Sequence, residues 1–412
     1  MKPIRLLLPL FFLMMSGLSV YGQEIALRDG DRVGFYGDSI TAQRFYTRFM
    51  EDFVLTRYPR LHVAFFNAGV PGDTVNGGYT GDVDVRLKRD LFPRQPTVVT
   101  ILLGMNGGYY MPFDQKYLDI YEDGYRKLLA SIQTNLPAAR ITLLSPTPYD
   151  EVTHGTEFPH YNEVIGRYAA FVKELAATTH LGFSDFYLAI SDLTNAGKEK
   201  NPSLAVLLVP DRIHPTEAAH WVMAARLARS WGMSPVVSSA HLDALQAAPV
   251  ETENTQITGL TIQDGKLQWT ETDDALPLPL NLEDGMVQFV LGISDLAAMD
   301  RQMLRLDNLP APHYTLKIDG RTIASFDREQ LAAGVNLALY ATPMQSQARD
   351  VDGDELKRTR LDEAHFLLAI EDPKIADAAA ATKAIEEKDA ALLEEQRKTA
   401  QPLAHRFELL PE

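Results

Sequence analysis

The sequence contains no cysteine among its 412 residues. That excludes disulfides, Cys-ligated zinc and thiol chemistry, and leaves the fold to its packed core alone. After residue 22 it lacks any apolar run of bilayer length, so no stable membrane insertion is expected once the leading stretch is removed. Positive charge is in short supply: 39 Lys and Arg face 55 Asp and Glu, for a formal charge of −16. Such a surface repels nucleic acid and anionic headgroups, and a nucleic-acid partner is not expected. There is no convincing internal repeat and no extended low-complexity segment. The length leaves room for two or three domains.

What is present begins with a leader. Residues 1–22 carry Lys2 and Arg5, then the apolar core "LLLPLFFLMMSGLSV", then "VYG" before Gln23. This is the layout of a secretory signal, so export to the periplasm or the extracellular space is expected. The run is short and contains Pro9, which argues against an anchor. The absence of cysteine at the processing point argues against a lipoprotein. Removing Lys2 and Arg5 takes the charge from −16 to −18.

From Arg32 to about Gly232, short runs rich in Val, Ile, Leu and Phe alternate with amphipathic stretches. "RVGFYG", "HVAFFNAG", "TVVTILLG", "RITLLSP" and "LGFSDFY" read as strands buried on both faces. Helices are expected at about 42–58, 81–91, 117–135 and 162–179, and again after Pro215. The alternation specifies an α/β domain over 23–236, with a parallel sheet between helix layers. A Ser/Ala/Pro-containing connector follows Pro235 and leads into a β-rich region, 237–344. There Asp264-Gly265, Asp284-Gly285 and Asp319-Gly320 read as hairpin turns of a small antiparallel sandwich. Residues 345–412 read as long solvent-facing helices closed by a short strand, "AHRFELLPE".

Ligands of such sheets bind beyond the carboxyl ends of the strands. Four blocks fall there: Ser39 after the first strand, Gly72 after the second, Asn106 after the third, and Asp211 and His214 before the last helix. They comprise a nucleophile, an approachable backbone amide, a side-chain amide donor and a base with its carboxylate, an inventory sufficient for acyl transfer. Each has a plainer role: Ser39 as a helix cap, Asn106-Gly107 as an ordinary turn, Asp211 as a turn cap beside a surface histidine. Ser39 lies outside Gly-x-Ser-x-Gly, because Thr41 occupies the second glycine position, so the nucleophile-elbow fold is not indicated.

In order, "GDSI", "GVPGDT", "GMNGG" and "DRIHP" resemble the four blocks of the SGNH hydrolases, also called GDSL esterases and lipases. The resemblance spans about Val33 to Trp231. It implies a flavodoxin-like α/β/α fold, Ser39 as nucleophile, His214 as general base and Asp211 as its orienting partner. It further implies an oxyanion hole made of the Ser39 and Gly72 amides and the Asn106 side chain, and neither metal nor organic cofactor. The chain departs from the family pattern at Gly107, where aspartate is usual.

The substrate is expected to be a small-molecule or carbohydrate ester. Export, acidity and the tyrosines Tyr79, Tyr109, Tyr110 and Tyr149 beyond predicted strand ends favour short acyl groups on sugar, with the rings as stacking surfaces. A lipid or aryl esterase is the alternative, with "MVQFVLGI" either lining an apolar groove or forming a core strand. A second alternative is a non-catalytic carbohydrate-binding protein on an esterase fold.

Overall fold

Five short apolar strands form a parallel sheet: β1 (Arg32–Gly37), β2 (Ala64–Gly69), β3 (Val98–Leu102), β4 (Arg140–Leu144) and β5 (Gly182–Ser184), in the order β2-β1-β3-β4-β5. The computed structural model describes residues 26–155, 157–370 and 378–412; the expected leader, 1–22, lies outside them. All five residues of β3 are buried, as its unbroken VVTIL run requires of a central strand covered on both faces. The chain leaves β1 to make β2 on one side and returns to make β3 on the other. The crevice between β1 and β3 is therefore the topological switch point.

Helices α1 (Ser39–Ala42), α2 (Phe45–Arg57), α3 (Gln115–Asn135), α4 (Tyr161–Thr179), α5 (Phe186–Lys200) and α6 (Glu217–Ser230) flank the sheet. The helix expected over 42–58 is broken at Arg44, whose φ of +65° ends α1 and starts α2 at a new angle. The stretch 81–91 is likewise no single helix. A two-residue strand, Gly81–Asp82, gives way to one α turn and then one π turn, and Pro93 sits in the 3₁₀ turn that follows. In "LGFSDFY" the strand stops at Ser184, because the Asp185 carboxylate accepts the Leu188 N–H and caps α5.

The expected connector after Pro235 is itself structured, as β6 (Val236–Asp243) and β7 (Ala248–Glu253). The other strands of this half are β8 (Thr255–Gln263), β9 (Lys266–Asp273), β10 (Arg301–Asp307), β11 (His313–Ile318), β12 (Arg321–Asp327), β13 (Val335–Asn336) and β14 (Ala404–Pro411). They build an antiparallel sheet β8-β9-β14-β11-β12 and a second sheet β13-β10-β6-β7. Between them lies a core that includes Leu242, Trp269, Leu304, Leu316 and Phe407. The expectation of an all-antiparallel sandwich is corrected in one respect: β6 and β10 run parallel. The final strand is the middle strand of its sheet, between β9 and β11.

Asp264-Gly265 and Asp319-Gly320 do turn hairpins. Asp284-Gly285 does not. The Asp284 carboxylate accepts the N–H groups of Met286 and Val287 and caps helix α7 (Gly285–Ile293), so "MVQFVLGI" is helical and not a core strand, while its Met286 and Val287 line a groove with Phe49, Trp221 and Glu217. Val287 and Val290 of α7, with Leu278, Leu280, Leu296 and Met299, are buried in the same core as the parallel sheet.

Two long helices, α8 (Pro343–Ile370) and α9 (Ala378–Thr399), pair with each other, and α8 lies along α2. The expectation that their charges face solvent holds for most of α9, where Glu386, Glu387, Lys388, Glu394, Glu395 and Lys398 are exposed, but needs correcting on α8. Arg358 on α8 is buried between Glu51 of α2, its own neighbour Glu355 and Asp389 of α9, while Arg44 pairs with Asp362 and Arg48 with Asp352. The pairs Arg358–Glu51, Asp362–Arg44 and Asp352–Arg48 join α8 to the sheet domain.

Candidate active site

Ser39 is the first residue of α1, directly beyond β1. The capping role open to it falls instead to Asp38, whose carboxylate accepts the Ile40 N–H at 3.0 Å. That frees the Ser39 hydroxyl. The turn is tight: a Cβ on Gly37 would stand 2.1 Å from Thr41 Oγ1 and 2.7 Å from the Leu102 carbonyl, so only glycine fits beneath the serine. Burial pushes the Asp38 carboxyl up to about 7, against the Ile40 N–H that favours its anion, with nearby Asp73 adding to the rise.

His214 and Asp211 lie on the loop before α6. His214 Nε2 stands 2.8 Å from Ser39 Oγ, and its Nδ1 stands 2.6 Å from Asp211 Oδ2. The other oxygen of Asp211 accepts the backbone N–H groups of Ile213 at 3.0 Å and His214 at 2.7 Å. Burial alone would raise this carboxyl, but the bonds from His214 and Ile213 outweigh it and hold the group below the usual carboxylate range. Asp211 is therefore a carboxylate wherever His214 needs an ionic partner.

Gly72 follows β2 with φ of +76°, in the left-handed region that glycine occupies without strain, and open space lies where a Cβ would be. Asn106 follows β3. One of its Nδ2 hydrogens is donated to the Asp73 carbonyl at 3.0 Å and its Oδ1 accepts the Tyr110 hydroxyl at 3.2 Å, which fixes the amide plane and leaves its other N–H for a ligand. Gly107 donates to the Gly104 carbonyl at 3.0 Å, so the loop without the family's aspartate is held by backbone bonding.

Tyr79 and Tyr109 are 76% and 58% exposed, the Tyr109 ring lying against Tyr117. Tyr110 is half-buried against Tyr149, Phe158 and Tyr161 and positions Asn106. The expectation for Tyr149 fails: it is 1% exposed, packed under Tyr110 and Tyr161, and has no face to offer a substrate.

An open cleft at Ser39 is lined by Gln43, Phe45, Pro71, Pro210, Asp211, His214, Pro215 and Glu217, among others. Gln43, Phe45 and Glu217 carry no motif signal, although Pro71 lies inside the second block and Pro210 adjoins the fourth. Asp73, inside the second block, is buried with Arg86 at 3.1 Å. It supports the loop that carries Gly72 and supplies the carbonyl that orients Asn106.

Residues 35–222 match the GDSL-like Lipase/Acylhydrolase family. That region belongs to the SGNH hydrolases. As an SGNH hydrolase it is a carboxylic ester hydrolase, and its five-stranded sheet with flanking helices is the fold of that superfamily. The chain is 28% identical over 230 residues to an acetylxylan esterase of Geobacillus stearothermophilus, a match covering 51% of this chain and 97% of the relative. A solved gut microbial diltiazem-metabolizing enzyme is 24% identical and superposes with a TM-score of 0.80, covering 95% of this SGNH hydrolase and 99% of the other chain. That likeness is one of fold, and it extends well past the family region into the C-terminal sheets and helices.

Proposed function

We propose that this hydrolase is an exported serine esterase that removes acetyl or other short acyl groups from carbohydrate through an acyl-enzyme on Ser39. The observation that carries the reading is the continuous hydrogen-bonded path from Asp211 through His214 to Ser39, at the switch point of a parallel sheet. In this reaction Ser39 Oγ attacks the ester carbonyl as His214 Nε2 takes its proton, and Asp211 stabilises the imidazolium. The oxyanion receives the Ser39 and Gly72 backbone N–H groups and the Asn106 amide. Collapse expels the alcohol, which takes the proton from His214. A water then attacks the acyl-enzyme with His214 taking its proton, and collapse breaks the bond to Ser39 Oγ, which recovers the proton from His214 as the carboxylic acid leaves.

Carbohydrate as the alcohol is supported by the acetylxylan esterase relative and by the exposed rings of Tyr79 and Tyr109 on loops beyond the strand ends. Export is supported by the leader-like residues 1–22. Among the described residues no helix is long and apolar enough to cross a membrane. A panel of p-nitrophenyl esters of rising chain length, beside acetylated xylo-oligosaccharides, tests the reading. Acetyl esters of sugar should turn over best, and a preference for long acyl chains would favour a lipid esterase. Failure of Ser39 to react with a fluorophosphonate probe would overturn the serine mechanism.

A further inference from the structure

His220, on α6 one turn beyond the His214 loop, is completely buried and takes no part in the proposed reaction. Its Nδ1 accepts the backbone N–H of Tyr46 at 3.1 Å, so that nitrogen carries no proton. A neutral imidazole then carries its hydrogen on Nε2, and Nε2 stands 3.2 Å from Gln43 Oε1. Burial drives the His220 pKa down to about 3, with the backbone at Pro215 opposing and the charges of His214 and Arg48 assisting, so the ring stays neutral across the working range. The ring is clamped as well, stacked on Tyr46 and edge-on to Phe45.

This buried donor settles the orientation of Gln43. Its oxygen must face Nε2–H, because a flipped amide would set two donors against each other. Gln43 lines the cleft at Ser39, and among the described residues its amino group has no hydrogen-bond partner. We infer that Gln43 is a specificity-determining residue, and His220 the residue that positions it: the Gln43 Nε2 hydrogens bind an acceptor oxygen, ether or carbonyl, on the alcohol part of the ester. The inference rests on the esterase reading above. It adds a polar contact that aryl and alkyl esters cannot make and that a sugar, with its ring and glycosidic oxygens, can.

The test compares isosteric acetates on the intact protein: 2-methoxyethyl and 3-methoxypropyl acetate against butyl and pentyl acetate. The wild type should show a higher kcat/KM for at least one ether ester than for its alkyl counterpart. Gln43→Met should lower that ratio by roughly three- to tenfold, the worth of one neutral hydrogen bond. Gln43→Glu keeps the bond from His220 but has no donor for the substrate, and should lower the ratio as far. An ether-to-alkyl ratio equal in the wild type and both variants overturns the inference, whereas hydrolysis of none of the acetates overturns the esterase reading instead. As a readout independent of turnover, nitrogen NMR of the wild type should show His220 protonated on Nε2 only, and Nδ1 protonation would remove the basis for the amide's orientation.

Discussion

Both oxygens of Asp211 are committed to His214: Oδ2 stands 2.6 Å from the ring Nδ1, and Oδ1 accepts the residue's own backbone N–H at 2.7 Å. The backbone bond holds the turn and the ring bond holds the tautomer, so the two halves of Asp211's role are separable. Ser39→Ala and His214→Ala should each remove nearly all turnover with the fold intact. Asp211→Ala should cost less, because it orients the base without moving a proton and, at an exposed site, water replaces part of its field. Purified variants with native circular dichroism, assayed on p-nitrophenyl acetate, decide it. Full activity of Ser39→Ala would end the assignment.

In the proposed reaction Asn106 acts in the transition state. Its amide plane is already set by the Asp73 carbonyl and the Tyr110 hydroxyl, so Asn106→Ala removes a preorganised donor and should lower kcat by roughly a hundredfold or more, with KM nearly unchanged. Tyr110→Phe should lower kcat by a smaller factor, since it loosens the amide without deleting it. An effect of Asn106→Ala confined to KM would make the residue a substrate contact.

Gly72 separates conformational from steric cost. A methyl group there meets no neighbour within 4 Å, but the φ of +76° is unfavourable to any residue with a Cβ. Gly72→Ala should therefore lower stability by about 1 kcal/mol while preserving the fold. Any larger fall in kcat would come from an altered direction of the amide at the cleft. Thermal melting beside steady-state kinetics distinguishes the two effects.

How much of this could be read from the sequence follows from where each signal resides. The parallel sheet was legible because buried strands such as "VVTIL" are apolar at every position, and the site because four short blocks each fall just beyond a strand or before a helix. Asp284-Gly285 misled because Asp-Gly serves a hairpin and a helix start equally well, and only the apolar spacing of Val287 and Val290 against the sheet's core selects the helix. The burial of Tyr149 was not legible, since a tyrosine beyond a strand end looks the same whether the next loop covers it or not. Nor was the Gln43–His220 bond, which joins residues 177 positions apart and has no local pattern. The buried charges of α8 were read as a wet face for the same reason: their partners Glu51 and Arg48 lie on α2, some three hundred residues away.

The attachment of the C-terminal half to the sheet domain is testable at one buried pair. Arg57, the last residue of α2, donates from Nη2 to Asp300 at 3.0 Å and from Nη1 to the Ser234 carbonyl at 2.8 Å, and Asp300 also accepts the Leu278 N–H. Both side chains are out of contact with solvent. Burial raises the Asp300 carboxyl to about 6 despite the adjacent guanidinium, and burial likewise lowers Arg57, so for each partner desolvation outweighs attraction. Asp300→Ala leaves the guanidinium buried without its carboxylate and should cost roughly 3–5 kcal/mol. The pH dependence carries a sign. A carboxyl whose folded pKa exceeds its unfolded value contributes its full stability below the unfolded value, and that contribution falls as pH rises through the folded one. Wild-type stability should therefore lose the Asp300 contribution between the ordinary carboxylate range and about pH 6, and Asp300→Asn, which cannot ionise, should lack that slope. Urea unfolding of both proteins across this window measures it, and parallel pH profiles would show that the pair does not titrate with folding.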